Sequence, residues 1–242
     1  MANTMNRTAQ AVAVARDPER MVVKDLAWRE KVINEFARVT QFLAWLILYP
    51  YFSLFFRIKV TGRENLKKLT SPFILIANHV CPSDPFFFRI ILGFWTPFLP
   101  LRFMGVRQFN WPVLNFLASI GVIDLVYSLF GVFTVVPGLG IGKNLQAAFK
   151  ILKVGGNVAI FPEGYMNDSD AVDTFKKGAS VLARDSGVPV MPFSFRLGKK
   201  KLFRRAMTIN IGQPMIAPAN KALSSITESF FEAVNTLFNT VN

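Results

Sequence analysis

The chain contains a single histidine, His79, and five residues further on stands Asp84, in the run Asn78-His79-Val80-Cys81-Pro82-Ser83-Asp84-Pro85. A neutral imidazole with a pKa of ~6.5 can take a proton from an alcohol at physiological pH. A carboxylate on its other nitrogen fixes the tautomer and stabilises the imidazolium as it forms. If the alcohol attacks a thioester directly, such a pair needs no nucleophilic Ser or Cys. On a regular helix an offset of five would turn the two side chains about 140° apart, so the pair requires a tight turn. Pro82 and Pro85 disfavour helix at the residues before them, and Ser83 or Asp84 can cap a helix starting at Pro85. A structural histidine beside a capping aspartate accounts for the pair, taken alone, at least as well.

A second constellation is Phe161-Pro162-Glu163-Gly164. A Glu between Pro and Gly, directly after a buried strand, is poor material for a core and suits a carboxylate presented to a ligand at a sharp turn. Alone, it also reads as an ordinary Pro-Glu-Gly turn. One His and one Cys, Cys81, are too few for a His/Cys zinc site, so no metal is expected, and the lone Cys excludes an intramolecular disulfide.

Both constellations need strands to carry them. Phe73 to Ala77 reads as a buried strand ending just before His79, and Asn157 to Phe161 as another ending at Glu163. Ligand sites gather at such strand ends in open α/β sheets. Ile58 to Thr61, Val188 to Phe195 and Met207 to Ile211 read as further strands. Asn144 to Lys153, Lys176 to Asp185 and Ser224 to Phe238 read as helices. Strands alternating with helices predict an α/β fold, a mixed, mostly parallel sheet flanked by helices.

Ahead of this core, residues 1–22 read as a disordered tail with no secretion signal. Residues 23–57 read as helices that dock on a membrane, and 58–242 as the catalytic domain. Leu26 to Val39 is charged and amphipathic, and Phe42 to Phe56 is apolar and broken by Pro50. Fifteen residues fall short of the ~20 needed to cross a bilayer, so a hairpin or kinked helix lying in one leaflet is expected, with a single span as the alternative. The 26 mostly apolar residues from Trp111 to Val136 include Asn115 and Asp124. A crossing there would put His79 and Glu163 on opposite sides of the membrane, so helices packed in the domain or dipping into one leaflet are expected.

The order and spacing of these motifs resemble the glycerolipid acyltransferase family, whose best-known members acylate lysophosphatidic acid. The resemblance runs from Val60-Thr61-Gly62 through His79 to Asp84, Phe161 to Gly164, Phe175-Lys176-Lys177-Gly178-Ala179 and Gly187 to Pro192, ending near Ile211-Gly212-Gln213-Pro214. It implies that His79 is the general base and Asp84 its partner. Glu163 and Gly164, within the motif opened by Phe161 and Pro162, would bind or position the acceptor. Arg107 occupies the place of a family Lys that meets the acceptor phosphate, and Arg can serve there bidentately. The Phe-rich segments 86–99 and 111–133 would help line an acyl tunnel, with core packing equally natural for any one Phe.

The resemblance further implies an acyl-CoA or acyl carrier protein thioester as donor, a lysolipid as acceptor and no other cofactor. Two family arginines are missing: Tyr165-Met166 stands where Thr-Arg is usual, and the second motif ends at Pro137. Phosphate recognition is weakened unless Arg102, Arg107, Lys143 or Lys176 compensates.

Composition fits this reading. The formal charge is +13, yet 52% of residues are hydrophobic and 25 are Phe. A nucleic-acid binder explains the charge but not the apolar content, and no nucleic-acid partner is expected. A protein lying on an anionic leaflet, membrane-associated on the cytoplasmic face, explains both. The cluster Lys199-Lys200-Lys201, Arg204-Arg205 beside Leu202 and Phe203 reads as a contact for anionic lipid or as a solvated loop.

Overall fold

The computed structural model describes residues 18–93, 96–106, 112–136, 138–167 and 169–240. A long helix α1 (Pro18–Phe55) leads into β1 (Phe56–Thr61) and a 3-10 turn (Arg63–Lys68). Then come β2 (Ile74–Ala77), α2 (Asp84–Leu92), β3 (Leu101–Val106), α3 (Pro112–Ser119), α4 (Val122–Leu129) and β4 (Val132–Val135). The chain continues through α5 (Ile141–Lys153), β5 (Asn157–Ile160), α6 (Gly178–Ser186), β6 (Val190–Lys201), β7 (Arg204–Ile211) and α7 (Leu223–Asn239).

The seven strands form one sheet in the order β1-β7-β6-β2-β5-β3-β4. Every pairing is parallel except the β6–β7 hairpin. β2 lies between β5 and β6, with Ile76 opposite Ile160 on one side and Pro192 on the other. The C-terminal ends of β2, β5, β3 and β4 therefore share one edge of the sheet. The β6–β7 hairpin tip lies on that edge too. Because β1 runs parallel to β7, so does the junction between α1 and β1.

Both faces of the sheet are covered, which is why β2 and β5 read as continuous apolar runs rather than alternating ones. Leu75 and Ala77 face a cluster with Phe87, Phe88 and Ile91 of α2 and Phe52 of α1. Ile74 and Ile76 face α5, α6 and α7 through Leu145, Ile151, Leu182, Phe230 and Val234.

Several expectations need correction. The helix begins at Pro18, inside the stretch read as tail, and α1 is neither a hairpin nor broken at Pro50. A proline removes the N–H that would meet the carbonyl four residues back. Here that carbonyl belongs to Leu46, and both residues lie on the exposed side of α1, where the loss is cheapest. Residues 101–106 form β3, a strand that the sequence reading did not identify, and the apolar run beyond it is not wholly helical. Its helices α3 and α4 meet at 85°, and Val132–Val135 then pairs with β3. β6 extends to Lys201, so the basic cluster is strand and hairpin tip rather than loop. Among the described residues no single helix is long and apolar enough to cross a membrane.

Arg102 is buried and cannot compensate for a missing phosphate ligand. Its guanidinium bonds Glu30 at 3.1 Å, Asn34 at 2.8 Å and the Gly131 carbonyl at 3.0 Å, tying α1 to β3. Gln41 repeats the tie by donating to the carbonyls of Leu101 and Phe130. Phe87 and Phe88 are fully buried core residues, not tunnel lining.

Candidate active site

The turn after β2 brings His79 and Asp84 together. The His79 Nδ1 lies 2.8 Å from Asp84 Oδ2. That oxygen also accepts the main-chain N–H groups of Val80 at 2.7 Å and Cys81 at 3.0 Å, and Oδ1 accepts the Cys81 thiol at 3.0 Å. The carboxylate is thus satisfied although fully buried, and it sits in the first turn of α2, where the helix dipole favours an anion. The proline arithmetic holds with one difference. Ser83 makes no side-chain cap, and the main chain around it supplies the turn through Asp84 N–H to the Cys81 carbonyl at 3.1 Å.

Asp84 accepts a hydrogen bond from Nδ1–H, so Nε2 is left as the basic nitrogen. The imidazole is 20% exposed while Asp84 is 0% exposed, so a substrate can reach the ring but not its partner. Phe161 stacks on the ring at 4.2 Å and 16°, and Phe88 backs Phe161 at 6.0 Å. Phe161 therefore fixes the plane of the imidazole.

Glu163 approaches His79 from the other side. Its Oε2 accepts the His79 main-chain N–H at 2.9 Å, and Oε1 accepts the N–H of Asp173 at 2.9 Å. It is 1% exposed, so the carboxylate faces the two loops instead of an open ligand space. Burial pushes its carboxyl above the ordinary range. The two N–H bonds, the Asn167 side chain and the nearby His79 pull it back down. Burial, then the Asp84 carboxylate, pushes the Cys81 thiol up to about 12, so it stays protonated and can donate to Asp84.

Pro162 is buried, and its carbonyl takes the Lys176 N–H at 2.9 Å, so it shapes the turn rather than meeting a ligand. Gly164 has φ 74°, in the left-handed region. A Cβ there would run into the Lys176 ammonium, so an exposed cation lies directly over the loop where the family arginine is absent. Tyr165, half exposed, donates its hydroxyl to Asp173. Lys143 is exposed on the first turn of α5. Arg107 lies outside the described residues, directly after the site end of β3.

Sequence reasoning missed three supports. Asn78 exchanges hydrogen bonds with Phe195 at 2.8 Å each way, extending the β2–β6 pairing to the residue before His79. Asn167 donates its N–H to the His79 carbonyl at 2.7 Å, and Asp173 holds Glu163. A buried-strand sequence running into an Asn was the available signal for the first. The other two act through main-chain groups, which residue type does not reveal.

A glycerolipid-type α/β fold with a His-Asp pair and a Pro-Glu-Gly turn at one sheet edge defines an acyltransferase-like class. The family model described as Acyltransferase matches residues 57–196, more than half of the sequence, and the chain belongs to that family. It is 27% identical over 182 residues to a 1-acyl-sn-glycerol-3-phosphate acyltransferase of Borreliella burgdorferi, covering 74% of this chain and 66% of that one. A chloroplastic 1-acyl-sn-glycerol-3-phosphate acyltransferase of Arabidopsis thaliana is 27% identical over 161 residues, 64% of this chain and 39% of its own. The fold is shared with the crystal structure of the 1-acyl-sn-glycerophosphate (LPA) acyltransferase PlsC from Thermotoga maritima. That match has a TM-score of 0.52 and 23% identity, over 93% of this chain and 85% of that one.

Proposed function

We propose that the protein transfers a fatty acyl group from a thioester, acyl-CoA or an acyl carrier protein conjugate, to the hydroxyl of a lysolipid. The preferred acceptor is 1-acylglycerol 3-phosphate, giving phosphatidate. The observation that carries this is the 2.8 Å contact between His79 Nδ1 and a fully buried, fully bonded Asp84. The names of the relatives support the acceptor. His79 Nε2 takes the proton of the acceptor hydroxyl as its oxygen attacks the thioester carbonyl carbon. The tetrahedral adduct then collapses, the C–S bond breaks, and the imidazolium returns the proton to the leaving sulfur. Asp84 stabilises the imidazolium between the two transfers. Phe161 holds the ring plane, and Glu163 holds the His79 main chain while its turn, through Gly164, sets the floor for the acceptor. Lys176 supplies positive charge there, and Arg107 would add to it by the place it takes in the family pattern.

A membrane surface supplies the acceptor. α1 carries two opposed stripes. Ala37, Gln41, Leu48 and Phe52 face the domain, while Val39, Leu43, Ile47 and Leu54 are 48–72% exposed. An outer apolar stripe on a helix already packed to its own core suits the cytoplasmic leaflet of a membrane, whose anionic lipids match the +13 charge. Its C-terminal end lies on the same sheet edge as His79.

Two acceptor readings separate cleanly. Tyr165-Met166 in place of the family Thr-Arg favours a lysolipid without a phosphomonoester. Purified protein is offered acyl-CoA and acyl carrier protein donors with a panel of lysolipids in mixed vesicles. Turnover fastest on lysophosphatidate is expected. Faster turnover on a zwitterionic or amino-lysolipid would transfer the assignment to that acceptor, and no turnover on any pair would overturn the proposal.

A further inference from the structure

A cleft of about 370 Å³ opens at the same edge, between the β6–β7 hairpin and the loop at Ser169 and Asp170, with Val80 in its wall. Val80 is the residue after His79, and its N–H is one of those that hold Asp84. The other wall carries Arg196, Lys199, Lys200 and Arg205, four cationic side chains against the one carboxylate of Asp170. Two of them make contacts within the fold. The Arg196 guanidinium lies over the Phe238 ring at 5.0 Å, and Arg205 Nε donates to the Gly198 carbonyl at 3.4 Å.

Lys200 and Arg205 stand directly opposite each other across the hairpin, after a register shift between Leu197 and Lys200. Like charges at directly opposed positions destabilise a strand pair. The arrangement becomes favourable when an anion sits between them. Arg205 is also close enough to the His79 turn for its charge to lower the pKa of the Cys81 thiol, so the field of the cleft reaches the site. Meanwhile the loop after Glu163, where the family places a phosphate-binding arginine, has Tyr165 and Met166.

Resting on the acyl-transfer reading above, we propose that this cleft binds a phosphate monoester carried by a substrate, with Lys200 and Arg205 as its principal ligands and Arg196 and Lys199 beside them. The phosphate recognition missing from the Glu163 loop is supplied from the opposite flank of His79. Two substrate groups carry that chemistry: the phosphate of a lysophosphatidate acceptor and the 3′-phosphate of a CoA donor.

The test is calorimetric titration of the full chain in detergent with four probes: CoA, dephospho-CoA, a short-chain lysophosphatidate and the matching monoacylglycerol. The wild type is compared with a chain carrying Lys200→Gln and Arg205→Gln. Binding of one phosphomonoester probe is expected to weaken about tenfold or more, on the scale of a lost charge-assisted contact, with dephospho-CoA and monoacylglycerol unchanged. Loss on lysophosphatidate alone assigns the cleft to the acceptor, and loss on CoA alone to the donor. A third chain with Lys200→Arg and Arg205→Lys keeps the charge and is expected to keep the affinity, so a fold defect does not pass for a binding one. Equal weakening of all four probes, or of none, overturns the proposal. Because binding is read without turnover, a wild type that binds phosphate selectively but transfers no acyl group would sink the functional reading and leave the cleft standing.

Discussion

Two buried carboxylates flank His79 and hold different parts of it. Asp84, on the turn that follows β2, holds the ring through Nδ1 and closes the loop with the N–H groups of Val80 and Cys81. Glu163, on the turn that follows β5, holds the main-chain N–H of the same residue and a second loop through Asp173. One carboxylate aims the imidazole. The other fixes where the residue stands. Carboxylate chemistry is the same in both, and the element that presents it decides the role.

Variants that break this division should separate in size. Asp84→Asn keeps an acceptor for main-chain N–H groups but loses the charge that stabilises the imidazolium, so kcat is expected to fall about 10²–10⁴-fold with KM nearly unchanged. A smaller effect on kcat than on KM would show that Asp84 shapes the pocket and does not serve the proton transfer.

Glu163→Gln is expected to cost less in kcat, about 10–100-fold, and to lower stability by roughly 1–3 kcal/mol. One of its two N–H partners then faces an amide NH₂ inside the fold. The pH dependence sharpens the assignment. Burial raises the Glu163 carboxyl, so its contribution to stability is complete below the ordinary carboxyl range and is lost as pH rises through its folded value. Urea unfolding followed from about pH 4 upward should show a decline in the wild type that Glu163→Gln lacks. Parallel profiles would mean that burial does not raise the Glu163 carboxyl.

The smallest effect is expected at Cys81. Its thiol, pushed up to about 12, is a donor to Asp84 and not a nucleophile. Cys81→Ser should retain activity within a few-fold, and iodoacetamide should label the folded protein far more slowly than free cysteine at pH 8. Rapid labelling would place the thiol outside the Asp84 bond.

Much of this was legible in the chain itself. His79, Asp84 and Glu163 follow two apolar runs short enough to be strands, and prolines on both sides of Ser83 dictate a turn where a helix would have kept His79 and Asp84 apart. β3 and β4 were not legible, because Leu101–Val106 and Val132–Val135 adjoin a long apolar stretch with no alternation and few breakers. Buried parallel strands and buried helices look alike in such runs. The continuous course of α1 through Pro50 was hidden for a different reason. It depends on an inner stripe, with Gln41 tied to Leu101 and Phe130 and Phe52 packed on α2, that only the assembled fold provides. The main-chain contacts of Asn167 and Asp173 leave no mark on residue type at all.

The central claim is that Nε2 of His79 moves the proton in acyl transfer. The most direct measurement is the initial rate from acyl-CoA to lysophosphatidate in mixed vesicles, for wild type and His79→Ala at equal vesicle binding. The rate of the variant should be lower by about 10² or more, the scale of a positioned general base. Equal rates for the two proteins would contradict it.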